Sequence, residues 1–387
     1  MARKILMIPG PSEVAEETLR EIGKPVIAHY GPEWVKIYNE TIELLKKIFQ
    51  TTNDIFVIPG SSSSAMEASI ESTIEPGDKV LVELSGNFGL RFKEIVEMHQ
   101  GKAVPLEVEV GNAVDPDKVR KMLKKETGIK AMTLVSNETS TGVANPVKEL
   151  GEIAQEYGIL YVVDAVSALG GIDLRTDDWN IDFCITGTQK CLETPPGLAL
   201  TSVSSKAWKV MESRRDPIRG WYLNLLNLRR YCNLWADWHP QGPETMPTPT
   251  FMGLRLVLKK IMNEGLQQRF DRHKKSAKAV RAAMRAMGLE LFVRDEIASN
   301  TLTSVKVPLG VKLGDIITTM DNEYNTMIAG GVGPTQGKII RIGHMGVTAS
   351  PNYILPALSA LEKTLVKLNY PVTLGSGVNT AKTILES

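Results

Sequence analysis

The chain has 387 residues, 43% hydrophobic and 23% charged, with a formal net charge of +1. That length is too great for one small core and suggests two or three domains; the balanced charge, without a basic or acidic block, gives no electrostatic case for a nucleic-acid partner. Three cysteines (Cys184, Cys191, Cys232) lack C-x-x-C spacing and cannot all pair, which fits a reducing compartment, and no apolar stretch approaches the ~20 residues of a membrane span. In chain order, the opening MARKILMIPGP carries an apolar run that stops at Pro9, too brief for a signal sequence. The expectation is a soluble, cytoplasmic protein. Apolar, β-branched runs at 53–60, 78–85, 129–137, 159–165, 181–187 and 197–204 read as strands. Segments 64–75, 89–100, 117–126 and 147–158 carry helical periodicity between them. Nearly continuous apolar strands alternating with helices predict an α/β domain with a mostly parallel sheet covered on both faces. Segment 214–250, rich in Trp, Tyr, Arg and Pro, reads as irregular chain. A helical stretch over roughly 250–287 follows, interrupted by Gly265, and the remainder alternates short strands and helices as a smaller α+β domain.

A sheet of this kind binds ligands beyond the carboxyl ends of its strands. There FVIPGSSSSAMEA runs from a strand through a Gly-Ser turn into a helix, a construction whose free N–H groups and hydroxyls suit phosphate, although Ser-rich helix caps are common without any ligand. ILYVVDAVS presents Asp164, which taken alone reads as an ordinary turn aspartate. CITGTQK presents Gln189 and Lys190, and LVSNETSTG ends in Asn137, Glu138, Thr139, Ser140 and Thr141. Together the tips describe one chemistry. A lysine that forms a Schiff base must lie partly out of water so that its amine can be neutral. A pyridine-ring cofactor needs a carboxylate at its ring nitrogen and a phosphate needs a helix start. Phe88, in SGNFG, offers an aromatic face. Pyridoxal 5'-phosphate (PLP) asks for all of these.

The sequence resembles the class V aminotransferases of fold type I, in particular the alanine–glyoxylate and serine–pyruvate branch. IPGPSEV, PGSSSSAMEA, SGNFG, NETSTGV, VDAVSALGG, TGTQKCLETPPG, MPTPTFMGLR and IIRIGHMG stand in the family's order over essentially the whole chain. The resemblance implies a fold type I transferase: residues 1–20 as a segment joining the small domain and the active site, 21–255 as the large PLP-binding domain and 256–387 as the small C-terminal domain. It also implies a homodimer with shared sites. Lys190 would be the Schiff-base lysine and the base for the proton shift, and Asp164 the partner of the pyridine N–H. Val166 and Phe88 would lie on opposite ring faces, and Ser61, Ser62, Ser63 and Gln189 on the phosphate. Thr139 would lie near the ring hydroxyl or the substrate. Thr248 or Thr250 would reach the neighbouring subunit's phosphate. Arg341 would hold the substrate carboxylate in a bidentate fork; a surface salt bridge is its plainer reading.

The implied activity moves an amino group from a small amino acid, such as alanine or serine, to glyoxylate or pyruvate by ping-pong chemistry. The C-terminal run RIGHMGVTASPNYILPALSALEKTL also resembles pyridoxamine–pyruvate aminotransferases, which treat the unphosphorylated vitamin as a substrate. A lyase or desulfurase on the same fold is a further alternative, the latter needing a mobile, reactive cysteine. His29 and Tyr30 set donor choice, or are turn residues before a helix starting near Pro32. Trp221, Trp235 and Trp238 line the pocket, or pack structure or an interface. Five scattered histidines show no metal-ligand spacing, and no metal is assigned.

Overall fold

A computed structural model describes residues 4–387, so the first three residues of the expected N-terminal segment lie outside it. In chain order the strands are β1 (Ile5–Leu6), β2 (Asp54–Gly60), β3 (Lys79–Leu84), β4 (Lys102–Glu107), β5 (Ile129–Val135), β6 (Asn137–Glu138), β7 (Val143–Ala144), β8 (Leu160–Asp164), β9 (Phe183–Gly187), β10 (Gly197–Val203), β11 (Leu302–Lys306), β12 (Thr326–Met327), β13 (Ala329–Gly330) and β14 (Ile339–Gly343). Seven of them form one sheet in the order β2-β10-β9-β8-β5-β3-β4. Within it β10 runs antiparallel to both neighbours, and the other pairs are parallel.

Successive strand residues point to opposite faces, and both faces of this sheet are apolar. Val57, Leu81, Leu134, Val163 and Cys184 enter one core, while Ile58, Val82, Val135, Val162 and Ile185 enter the other. The helices Pro32–Phe49 and Thr248–Glu264 close the first through Trp34, Leu45, Phe251 and Leu258. The helices Ser62–Thr73 and Asn87–Met98 close the second through Met66, Ile70, Phe92 and Val96. Burial on both faces is why the strands read as apolar runs rather than as an alternation. The architecture is the α/β one expected, with a large, mostly parallel sheet.

Two elements depart from the sequence expectation, and a third, the break at Gly265, follows it. Strand β4 has no counterpart in it: this is an edge strand interrupted by Pro105, where a missing N–H costs no ladder bond. Segment 214–250 is not wholly irregular, because it contains the helix Leu225–Leu234, started by the Asn224 side chain accepting from the Asn227 N–H. The stretch beginning near 250 is two helices, Thr248–Glu264 and Leu266–Ala286, parted at Gly265 with φ +86°. A left-handed residue there ends one helix without a Cβ clash and reorients the next.

A second sheet, β11-β14-β13, packs with the helices Leu313–Tyr324, Pro351–Lys367 and Ser376–Glu386 around Val280, Met284, Ile316, Ile340 and Leu358. The chain start is tied to this part, since β1 pairs in parallel with β12. Six residues later it reaches the large sheet, where Ser12 donates from its N–H to the Gln189 carbonyl at 2.8 Å and from its hydroxyl to the Lys190 carbonyl at 2.7 Å. No helix of the described residues is long and apolar enough to cross a membrane.

Candidate active site

Because the strands β3, β5, β8 and β9 run parallel, their carboxyl ends share one edge of the sheet. A cavity of about 260 Å³ opens there, lined by Gly10, Pro11, Ser61, Ser62, Ser63, Met66, Phe88, Arg91, Val135, Asn137, Thr139, Asp164, Val166, Gln189 and Lys190. Nine of the residues given a role from the sequence therefore converge: the three serines, Phe88, Thr139, Asp164, Val166, Gln189 and Lys190.

Lys190 is no surface charge. It is 9% exposed and donates to the Pro9 carbonyl, and burial pushes its amine down to about 8, opposed by the negative charge of Asp164. Gly10 permits the approach of the N-terminal segment: its φ is +114°, and a Cβ there would overlap the end of the lysine side chain. Asp164 is buried at the tip of β8, and burial pushes its carboxyl up to about 6; the Val166 N–H, donating to its Oδ1 at 2.8 Å, pulls the other way. Burial of each charge works against its charged form, so each group is held near the point where its proton can move.

The helix starts beneath the cavity have different anchors. At Ser62–Thr73, the Ser62 hydroxyl accepts from the Gln189 amide at 3.1 Å and the Ser63 hydroxyl from Arg91 Nη1 at 3.0 Å. At Asn87–Met98 the residue before the helix is Gly86, which has no side chain to cap it. Glu138 replaces that cap, accepting from the Phe88 N–H at 3.0 Å while its other oxygen takes the Ser140 N–H at 2.9 Å and hydroxyl at 2.6 Å. Burial pushes the Glu138 carboxyl up, against these bonds. The Glu138 side chain thereby fixes where the Phe88 ring begins its helix.

Arg341 lies beside the cavity rather than in its lining. It is 7% exposed, on β14, and donates from Nε to the Gly330 carbonyl and from Nη1 to the Thr139 carbonyl, each at 2.8 Å. No carboxylate among the described residues lies within ion-pair distance of it, so the surface salt-bridge reading is set aside. The remaining four expected residues are elsewhere. The Thr248 hydroxyl donates to the Ile27 carbonyl at 3.1 Å, and Gln241 donates to the His29 carbonyl at 2.9 Å. Residues 27–31 thus pack on 238–248, with the Gly31 N–H on the Trp238 carbonyl at 2.7 Å. His29, Tyr30, Thr248 and Thr250 do not line the cavity of this chain.

Sequence reasoning missed Arg91 and did not assign Gly10 a position at the lysine. Arg91 had a detectable signal: it stands three residues after Phe88 on a helix, and residues i and i+3 share a face. The cysteines do not supply a reactive thiol. Burial pushes Cys184, Cys191 and Cys232 each up to about 12, and none lines the cavity.

Residues 15–342 match the family model Aminotransferase class-V. The chain belongs to the class V aminotransferases. It is 43% identical to an uncharacterized aminotransferase of Methanocaldococcus jannaschii over 99% of this chain and 98% of that one. The crystal structure of ureidoglycine–glyoxylate aminotransferase from Bacillus subtilis superposes with a TM-score of 0.94 at 34% identity, covering 100% and 99% of the two chains. That of pyridoxamine–pyruvate aminotransferase from Mesorhizobium loti gives 0.92 at 31% identity, covering 100% and 98%. Class V aminotransferases depend on PLP as a family, and the lining of this cavity fits that group. It offers a buried amine able to lose its proton, a buried carboxylate with one oxygen uncommitted to Val166, and a 12-residue helix whose start carries three hydroxyls. Of the residues lining the cavity, Asp164 alone carries a carboxylate, so nothing anionic adjoins the serines.

Proposed function

We propose that this class V aminotransferase uses PLP to move an amino group from a small amino acid, such as alanine or serine, to a 2-oxo acid such as glyoxylate or pyruvate. The observation that carries the reading is Lys190: a lysine buried at a strand tip, its amine pushed down to about 8, opening on the same cavity as a buried aspartate. Asp164 would hold the pyridine nitrogen, Phe88 and Val166 the ring, Ser61–Ser63 and Gln189 the phosphate, with Thr139 near the ring hydroxyl. When bound, the protonated pyridine ring supplies a sink for the electrons left at the substrate Cα. Lys190 Nζ, neutral at slightly alkaline pH, takes the Cα proton, and the Thr139 and Gly330 carbonyls orient the Arg341 guanidinium toward the substrate carboxylate. Relatives named for glyoxylate and pyruvate support small oxo acids as acceptors.

One site serving both half-reactions predicts ping-pong kinetics. Initial rates over a grid of alanine, serine, aspartate or ureidoglycine against glyoxylate or pyruvate should give parallel double-reciprocal lines for the true pair. Intersecting lines, or no turnover with any pair, would remove the reading.

The proposal includes a homodimer. Its support is an exposed aromatic band containing Tyr30 (55% exposed), Trp221 (57%) and Trp238 (48%), running beside His29 and the start of the helix Thr248–Glu264. Rings this exposed mark a surface to be covered. In such a dimer His29, Tyr30 and Thr248 or Thr250 would complete the neighbour's cavity. Light scattering should return twice the chain mass across micromolar concentrations; a fully active monomer would contradict the shared site.

A further inference from the structure

The cavity lining contains one guanidinium, and the proposed chemistry gives it no role. Arg91 lines the cavity, half-buried, one turn into the helix Asn87–Met98. Two contacts fix its position: Nη1 donates to the Ser63 hydroxyl at 3.0 Å, and Cζ lies 4.8 Å from the centroid of the Phe88 ring. A guanidinium against an aromatic face keeps its in-plane N–H groups for other partners. Other partly or fully buried arginines of the chain, Arg269, Arg272 and Arg255, are each matched to a glutamate. Arg91 has no carboxylate within ion-pair distance among the described residues.

Its neighbours on the serine side are all uncharged. Ser61, Ser62, Ser63 and Gln189 supply hydroxyls and an amide, and the helix start adds a partial charge of roughly +0.5. Such donors bring no full positive charge to a phosphate dianion, whereas a guanidinium in the same cup would add an ion pair and a planar, bidentate fork. Arg341 does not stand on the serine side: it is held by the Thr139 and Gly330 carbonyls and is not part of the cavity lining. Arg91, held on Ser63, stands at the serine turn proposed to take the phosphate.

We propose that Arg91 is the phosphate-reading residue of this cavity, the charge by which it prefers phosphorylated pyridoxal to the unphosphorylated vitamin. The inference rests on the PLP reading of the site and deepens it, because it separates a retained cofactor from a passing vitamin substrate by one side chain. Phe88 and Ser63 hold the guanidinium in place before the ligand arrives, so little side-chain freedom remains to be lost on binding.

The test uses the apoprotein, its R91Q and R91K variants, and two probes, PLP and free pyridoxal, titrated by quenching of tryptophan fluorescence. With R91Q the Kd for PLP should rise roughly 10- to 100-fold while that for pyridoxal changes less than about twofold. R91K should recover part of the preference, since it restores the charge without the planar fork. Raising salt should weaken PLP binding to the wild type more steeply than to R91Q. Equal weakening of both probes would assign Arg91 to the ring face or to the fold, and unchanged PLP affinity would remove it from the site; either overturns the proposal. Thermal unfolding of each apo variant separates misfolding from lost recognition, and R91K provides the comparison if R91Q does not fold. If the wild type itself captures no PLP at Lys190, the cofactor reading fails before Arg91 is tested.

Discussion

Replacing Lys190 with alanine should lower turnover by at least about 10⁴-fold, on the order of 5 kcal/mol of barrier. The variant should also lack the visible band of a lysine-bound aldehyde. The loss is large because one Nζ is proposed both to hold the cofactor and to move the Cα proton, and no second lysine lines the cavity. Folding should be little changed, as the side chain contributes a single bond to the Pro9 carbonyl. Lys190 also sets a pH dependence with a definite sign. Its amine, lowered by burial to about 8, is protonated and unreactive below that value and neutral above it. Capture of PLP by the apoprotein should therefore speed up as pH rises through about 8 and level off beyond it. A capture rate that is flat from pH 7 to 9.5, or that rises only near the ordinary lysine value of about 10.4, would contradict the buried-amine account.

Asp164→Asn should separate activity from stability. The side-chain oxygen of the introduced asparagine can still accept from the Val166 N–H, so what is removed is the charge that would hold the protonated ring nitrogen. Turnover should drop roughly 10²- to 10⁴-fold. Stability of the apoprotein should move the other way. Burial raises the Asp164 carboxyl to about 6, so its ionisation is easier in the unfolded chain, and the fold loses stability as pH rises from the unfolded value of about 3.9 through about 6. Above pH 6 the neutral asparagine escapes that loss. At pH 8 the apo variant should melt at or above the wild-type temperature, and a clearly lower melting point would show that the carboxylate supports the fold rather than the ligand.

The large sheet was legible because both its faces are buried: a strand such as β8, LYVVD, has no exposed residue to dilute its pattern. The tips Asp164 and Lys190 stood out as charges at the ends of such strands. Strand β4 was hidden by Pro105 and its exposed edge. The helix Leu225–Leu234 buries only Leu225 and Leu228, too narrow an apolar stripe to show a helical period. Arg91 was overlooked for a different reason: an arginine on a helix reads as a solvated charge unless its i, i+3 spacing from Phe88 is taken into account. His29, Tyr30, Thr248 and Thr250 carry expectations that a single chain does not bring to its own cavity, because their proposed target lies across a dimer.

Borohydride reduction of the purified protein followed by peptide mass mapping decides whether Lys190 carries the cofactor. One phosphopyridoxyl adduct per chain is expected, on the peptide carrying Lys190, and none in Lys190→Ala. An adduct on another lysine, an unphosphorylated one, or no adduct after incubation with PLP would contradict that expectation.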